Sequence, residues 1–186
     1  WPSYTYDGEQ VQKHYEEYLL QKKATDIVFS LIDPETRERM HARSLTDEIL
    51  ASLEIEGEII ADEPVFSSIC NRLDIHLEKK ARSDRYAESV STLVLDATGN
   101  LDVLSLERIH TWHSLLFSSM AGMKPKCIGL YRQSPVYASK GNGIQEELIY
   151  EGLPSERIQE EMERLVEFVN GEDETKPIIK SAIVSL

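Results

Sequence analysis

The sequence predicts an all-α fold, a helical bundle that one β-hairpin interrupts. Over most of the chain, apolar residues recur at the three- and four-residue spacing of amphipathic helices. Asp33-Pro34 and Gly57 divide this pattern, because the residue before a proline avoids the helical conformation and glycine is common just after a helix end. From about residue 121 to residue 152, glycines, prolines and two short β-like runs replace it, which indicates a hairpin.

Seven helices are expected, each with a start or stop signal. Pro64 suits the first turn of the third helix, Gly99-Asn100 closes the fourth, and Ser105 caps the fifth. Because no Gly, Asn or Pro ends the seventh, we expect that Leu186 lies inside a helix and that the natural chain continues. The predicted helices cover about 11–32, 35–57, 64–73, 83–99, 105–117, 154–170 and 177 onward.

The hairpin is expected to pair Val136-Tyr137-Ala138-Ser139 with Leu148-Ile149-Tyr150. The loop between them starts at Lys140-Gly-Asn-Gly, which is ordinary turn chemistry for a hairpin. It lacks the strand–loop–helix arrangement and the G-K-[ST] ending of a P-loop, so it does not indicate a phosphate site.

The composition excludes two classes of partner. The chain has 186 residues, with 20 Lys and Arg against 33 Asp and Glu, and a net charge of −13. This charge does not suit nucleic acid, because binding there depends on Lys and Arg that neutralise phosphates. No window reaches the roughly 18 apolar residues of a membrane span. We therefore expect a protein that binds neither nucleic acid nor membrane.

Cysteine and histidine positions do not indicate a metal site. Cys70 and Cys127 lie in apolar stretches without a Cys or His at ligand spacing, and we interpret them as buried free thiols of a cytoplasmic protein. His110 and His113 are three residues apart on a predicted helix, close enough to share a metal. Because His113 lies beside Trp112 on the apolar face, we favour structural histidines and expect no metal ligand.

Ser52 and Glu56 stand out at the end of the second predicted helix. They are four residues apart, so both side chains project from one helix face. A carboxylate at a helix C-terminus opposes the macrodipole, at a cost of about 0.3–1 kcal/mol when it is exposed. Such a Glu needs a cationic partner and is well placed to bind an arginine through both oxygens. A residue that opposes a local preference is a hint of function.

Ser52-x-x-x-Glu56-Gly57 resembles the [S/T]-x-x-x-E-[G/N] inhibitory motif of Fic-domain proteins, enzymes that transfer AMP from ATP to protein hydroxyls. Other segments resemble the same family in chain order, so that the resemblance covers essentially the whole chain. They are Trp1-Pro-Ser-Tyr-Thr-Tyr, Ala51 to Glu58, Val65 to Leu73, Leu95 to Thr98, Leu104 to Phe117, Gly129-Leu-Tyr-Arg132, Val136 to Ser139 and Leu148 to Pro154.

The resemblance implies a bundle of the Fic type in two parts. Residues 1–100 would form an N-terminal helical region with an inhibitory helix at about 45–57, and residues 101–186 the first part of the Fic core with a flap hairpin at about 127–152. The autoinhibitory residues would be Ser52, Glu56 and Gly57. The flap would dock a target segment by strand addition. Its docking residues would be Val136, Tyr137, Ala138, Ser139, Leu148 and Ile149.

The family's catalytic signature, H-P-F-x-[D/E]-G-N-G-R-x-x-R, is absent from the sequence. Gly141-Asn142-Gly143 is not part of it, because no His-Pro-Phe precedes it and it lies in the hairpin loop. The family's base, metal ligand, phosphate loop and γ-phosphate arginine would follow Leu186. We therefore expect no catalytic residue in this chain, and no AMP transfer by the chain alone.

For the complete protein, the resemblance implies ATP and Mg²⁺, neither held tightly by this chain, and a target protein with a Ser, Thr or Tyr hydroxyl. The resemblance leaves open whether the protein forms a homodimer. A second interpretation also stays open: a non-enzymatic helical regulatory or interaction module that is complete as printed. The unfinished seventh helix favours the enzyme, and the reading frame that follows would separate the two.

Overall fold

The computed structural model describes residues 5–79, 81–82, 84–119, 126–141, 146–172 and 176–185. The chain divides into two compact units, Ser3–Asn100 and Leu101–Leu186, which we call the N-terminal and the C-terminal unit. The described residues are mostly helical and contain one two-stranded antiparallel sheet, which confirms the predicted all-α class with a single hairpin. Predictions for residues 1–4, 83, 142–145 and 186 lie outside the described residues.

The described part of the N-terminal unit contains α1 Gly8–Ser30, α2 Pro34–Ile55, α3 Asp62–Arg72 and α4 Arg85–Gly99. Three of these helices begin at an aspartate whose side chain accepts hydrogen bonds from first-turn amides. These aspartates are Asp7, Asp33 and Asp84. The predicted helix boundaries are therefore set by local chemistry that the sequence displays.

The core of this unit lies where α2, α3 and α4 pack together. Its buried apolar side chains are Ala42, Leu45, Ile49, Val65, Ile69, Cys70, Ala87 and Val90. Ser91 on α4 is fully buried as well, and its hydroxyl has no hydrogen-bond partner among the described residues. α1 buries none of its side chains.

The described part of the C-terminal unit contains α5 Leu106–Ser118, β1 Tyr137–Gly141, β2 Glu146–Glu151, a 3-10 turn at Ser155–Arg157, α6 Ile158–Asn170 and α7 Pro177–Val184. Ser105 caps α5, as predicted, by accepting a hydrogen bond from the Arg108 amide. The Asn170 side chain, at the end of α6, bonds to both main-chain groups of Leu104 at 2.8 and 2.9 Å. Since Leu104 lies just before α5, the C-terminal end of α6 lies beside the start of α5.

The hairpin contains one irregularity. Its register pairs Tyr137 with Glu151, Ala138 with Tyr150, Ser139 with Leu148, Lys140 with Glu147 and Gly141 with Glu146. Ile149 is left over between two paired positions and forms a β-bulge in β2. β1 starts at Tyr137, one residue later than predicted, and the Val136 carbonyl oxygen accepts a hydrogen bond from the Gly152 amide at 2.7 Å.

Both cysteines are free thiols. Cys70 is buried, and burial raises the pKa of its thiol because an apolar environment disfavours the thiolate. Cys127 is only half-buried, so the prediction of a buried thiol was wrong there; this residue lines an open cleft. In the described ranges, no helix has the length and apolar character that crossing a membrane requires.

Candidate functional site

The end of α2 is closed by a Schellman motif. Glu56 follows the last helical residue, and Gly57 comes next. The Gly57 amide donates to the Glu54 carbonyl oxygen at 3.0 Å, and the Glu58 amide donates to the Leu53 carbonyl oxygen at 2.9 Å. This pair of bonds satisfies carbonyl groups that a helix end otherwise leaves unpaired.

Gly57 is required by the backbone at this helix end. Its φ is 81°, a region that side chains with a Cβ disfavour. A Cβ at Gly57 would meet no atom within 4 Å, so the demand for glycine is conformational and not steric. α3 ends in the same way, with Asp74 at φ 56° and the Ile75 amide donating to the Cys70 carbonyl oxygen at 2.8 Å.

The side chains of Ser52 and Glu56 are exposed. Neither makes a hydrogen bond or an ion pair with another described residue. Glu54 and Glu58 lie on either side of Glu56, and the last turn of α2 has no basic residue. The helix end therefore presents an unpaired carboxylate at the negative end of the helix dipole, where a guanidinium would be attracted.

The hairpin exposes apolar side chains and main-chain edges together. All five residues of β1 are exposed. The sheet has two strands, so within the described residues the outer edge of each strand has no strand paired with it. The predicted docking residues that expose more than half of their area are Val136, Tyr137, Leu148 and Ile149. A free edge beside apolar side chains suits the addition of an extended segment.

The chain segments that enter and leave the hairpin are joined at its base. One guanidinium nitrogen of Arg132 donates to the Ser134 carbonyl oxygen at 2.8 Å, and the other donates to the Leu153 carbonyl oxygen. The bond from the Gly152 amide to Val136 lies beside them. We call Arg132, Ser134, Val136, Gly152 and Leu153 the hairpin base.

The residues that precede the hairpin base are anchored to α5. The Gly129 amide donates to His113 Nδ1 at 2.9 Å, so His113 ties this segment to α5. The ring of Tyr131 packs edge-on against His110, with 4.6 Å between ring centroids. Gly129 has φ 67°, and a Cβ there would collide with the Ser114 hydroxyl.

A cleft of about 600 Å³ opens among α5, the segment 126–136 and α6. In its wall, His110 Nε2 and the Tyr131 hydroxyl are buried without a hydrogen-bond partner among the described residues. Burial raises the pKa of Tyr131, and the negative charges of Glu163 and Glu107 raise it further. The phenol therefore stays protonated at neutral pH.

Possible metal ligands are not clustered in the described residues. These residues contain no group of three or more His, Cys, Asp or Glu side chains that could hold a metal ion. The glycine-containing hairpin loop is described only at its two ends, with residues 142–145 outside the description.

Arg132 is the candidate that sequence reasoning missed. It lies in Gly129-Leu-Tyr-Arg132, a segment that carries the family resemblance, but no local pattern indicates its partners. They lie two and 21 residues further along the chain, at Ser134 and Leu153. Such contacts depend on how the chain folds back on itself, which a local sequence pattern does not show.

Comparison with known proteins bears on the N-terminal part of the chain. A family model described as a domain of unknown function, DUF4172, matches residues 1–75. No curated protein matches the chain. The matched residues include α1, α2 and α3, and therefore the Schellman motif with Ser52, Glu56 and Gly57.

Proposed function

We propose that this chain is the N-terminal helical and flap portion of a self-inhibited Fic protein adenylyltransferase. The complete protein would transfer AMP from ATP to a Ser, Thr or Tyr hydroxyl of a target protein. This chain would contribute regulation and positioning: Glu56 restrains the reaction and the hairpin receives the target segment. The residues that act on the phosphates would belong to the family signature, which this sequence does not contain.

The observation that carries the proposal is the unpaired carboxylate of Glu56. Helix ends are stabilised by Lys or Arg in the last turn, yet α2 has none there. Instead, Glu54, Glu56 and Glu58 concentrate negative charge around the helix end. A carboxylate in this position lowers its free energy by binding a guanidinium from outside the described residues.

Inhibition follows from the charge of such a pair. If Glu56 binds the second arginine of the signature, the γ-phosphate of ATP loses its cationic partner. The carboxylate would also repel the phosphate, because both groups are negative. ATP would then bind unproductively or not at all, and no AMP transfer would follow.

The hairpin supports the second part of the proposal. An extended target segment could add to the outer edge of β1, with main-chain hydrogen bonds fixing the direction of its backbone. The exposed apolar side chains beside that edge, at Tyr137, Leu148 and Ile149, would contribute area to the contact. Docking by main-chain bonds would present a hydroxyl side chain without requiring one particular target sequence.

The first test is the reading frame that follows Leu186, which is expected to encode H-P-F-x-[D/E]-G-N-G-R-x-x-R. The protein that includes it is then incubated with α-labelled ATP, Mg²⁺ and a cell lysate, in parallel with the printed chain. We expect protein-bound label with the Glu56→Gln variant of the longer protein, in which the proposed inhibition is relieved. We expect none with the 186-residue chain, because it has no signature base or phosphate loop.

Two results would contradict the proposal. One is clear labelling by the printed chain alone. The other is a reading frame without the signature, together with no labelling by the natural protein. The second result would favour the non-enzymatic interaction module, for which the exposed hairpin is the candidate contact surface.

A further inference from the structure

We infer that Arg132 is a positioning residue that holds the hairpin in place for an incoming target segment. The inference rests on the proposed function, in which the hairpin docks a target segment and must therefore be held in one position. The structural part is independent of that purpose: one side chain ties the two ends of the hairpin to each other, and its neighbours tie that junction to α5.

The hairpin has little else to fix its position. A two-stranded sheet on its own is only marginally stable in water. β1 and β2 pack chiefly against each other, and every residue of β1 is exposed. An unsupported hairpin would therefore sample many orientations, and a docked segment would not be aimed at one place.

Arg132 restrains both ends of the hairpin at once. Its guanidinium bonds to Ser134 before β1 and to Leu153 after β2. The planar guanidinium holds its donors in fixed directions, whereas the ammonium of a lysine is a single nitrogen on a flexible stem. Arginine can therefore set the spacing between the two carbonyl groups, which a lysine in the same place would not do.

The hairpin base is anchored to a helix, α5, and not to a loop. Gly129 and Tyr131, just before Arg132, contact His113 and His110 on α5. Side chains held on regular elements keep their geometry better than those held on loops. A movement of Arg132 would disturb these contacts. The contacts with α5 therefore restrain the position of the hairpin base.

Gly152 offers a second way to disturb the same junction. A Cβ at Gly152 would lie 3.1 Å from the Val136 carbonyl oxygen and 3.3 Å from an Nη atom of Arg132. Both distances are shorter than ordinary van der Waals contact, so the base has no room for a side chain there. Gly152→Ala should therefore loosen the base without removing any charge.

Hydrogen exchange of the full printed chain, read by mass spectrometry or NMR, tests the inference. In Arg132→Ala we expect the amides of 137–141 and 146–152 to exchange at least about tenfold faster than in the wild type, since exchange reports local opening. The amides of α5 and α6 should keep their wild-type rates. Arg132→Lys should give an intermediate acceleration, and Gly152→Ala should accelerate the same amides.

Arg157→Ala is the matched control. Arg157 is another arginine of the C-terminal unit, but it lies in the 3-10 turn before α6 and pairs with Glu161 of that helix at 2.7 Å. Its loss should leave hairpin exchange unchanged. Equal hairpin rates in the wild type, Arg132→Lys and Gly152→Ala would overturn the inference, even if Arg132→Ala unfolds the unit and gives no local information.

Different measurements would contradict the proposed function and the positioning role of Arg132. The proposed function fails if the Glu56→Gln variant of the protein with the signature labels no target. The positioning role is read in that same background from Arg132→Lys, which should raise the KM for a target peptide several-fold while the affinity for ATP keeps its parental value. An unchanged KM combined with faster hairpin exchange would overturn the positioning role.

Discussion

Ser52 and Glu56 are joined through the main chain, where the Glu56 amide donates to the Ser52 carbonyl oxygen at 3.4 Å, and not through their side chains. A serine hydroxyl four residues before a glutamate in a helix could steady its carboxylate by a hydrogen bond. In the described residues no such bond forms, and both side chains are exposed. The effect of Glu56 in the proposed enzyme should therefore depend on a cationic partner and little on Ser52.

Glu56→Gln should raise AMP transfer in the protein that carries the signature, most visibly as self-modification. The change removes the charge that we expect to bind the signature arginine. Loss of a charge-assisted hydrogen bond is worth on the order of 1.5–3 kcal/mol, which corresponds to a rise of roughly tenfold to a hundredfold. Protein-bound label from α-labelled ATP measures it, and Glu56→Gly should act in the same direction.

Glu54→Gln is the control for this prediction, because Glu54 is an exposed acid of the same helix turn. It should leave transfer within about twofold of the wild type. Equal activity of Glu56→Gln and the wild type, with both folded and binding ATP alike, would identify Glu56 as an ordinary solvated carboxylate.

Gly57→Ala should destabilise the N-terminal unit. Its φ of 81° is left-handed, and a residue with a Cβ pays about 1–2 kcal/mol to adopt that conformation. Gly99→Ala is the matched control, because Gly99 is the last residue of α4 and also has open space around its Cβ position. That change should stabilise by up to about 1 kcal/mol, since alanine favours the helix. Urea unfolding followed by circular dichroism measures both, and a loss of stability in both variants would contradict the argument.

Removing the buried hydroxyl of Ser91 and removing that of Thr46 on a neighbouring helix should change the free energy of unfolding in opposite directions. The Ser91 hydroxyl has no partner among the described residues, whereas the Thr46 hydroxyl donates to the Ala42 carbonyl oxygen at 2.8 Å. Ser91→Ala should raise the free energy of unfolding by about 1 kcal/mol, because it removes a desolvated, unpaired group. Thr46→Val keeps the shape and should lower it by about 0.5–1.5 kcal/mol. Thermal unfolding of the two variants separates these signs, and a stability loss in Ser91→Ala would show that its hydroxyl is paired in solution.

The ion pair between Arg43 on α2 and Asp62 on α3 should make stability depend on acid pH. The hydrogen bond from Arg43 holds the pKa of Asp62 below its ordinary value of 3.8. Because the folded-state pKa is the lower one, the stabilisation is complete above about pH 3.8 and is lost as pH falls through the folded-state value. Both side chains are almost half exposed, so water screens the pair and its worth is at most about 1 kcal/mol.

Arg43→Gln should therefore flatten the fall in stability below about pH 4, and 1 M salt should reduce the difference from the wild type. Arg37→Gln, on the same helix and also exposed, is the control and should keep the wild-type acid profile. Urea midpoints between pH 2 and pH 7 measure the profiles. An identical slope in Arg43→Gln and the wild type would contradict the assignment.

The hairpin side chains should matter for target labelling and not for folding. Leu148→Ser with Ile149→Ser removes exposed apolar area, so the free energy of unfolding should stay within about 0.5 kcal/mol. In the Glu56→Gln background, labelling of lysate proteins should fall at least several-fold while ATP binding is kept. Ile178→Ser, an exposed isoleucine of α7, is the control and should label like its parent. An unchanged label with the double variant would remove the hairpin from target docking.

Sequence alone anticipated the helices because their signals are local. Asp33, Asp84 and Ser105 cap helices that start within one or two residues of the predicted positions, and Gly57 ends α2 as a C-cap glycine should. The features that the sequence did not predict depend on contacts between residues far apart in the chain. The bond from Gly129 to His113 joins residues 16 apart. The half-exposure of Cys127 likewise depends on where a loop runs, which no periodicity encodes.

The bulge at Ile149 makes the two edges of the hairpin unequal, and this has a consequence for self-association. A strand edge without interruption is a template for further strands, and sheets of many copies grow when each added strand offers another such edge. The outer edge of β1 has no irregularity, whereas β2 carries an extra residue that breaks the hydrogen-bonding repeat and increases the local twist. In the proposed enzyme, the hairpin would therefore take one extended segment along β1, while the bulge would hinder addition along β2. A chain with this asymmetry can keep an apolar hairpin in water and still resist stacking into an open-ended sheet.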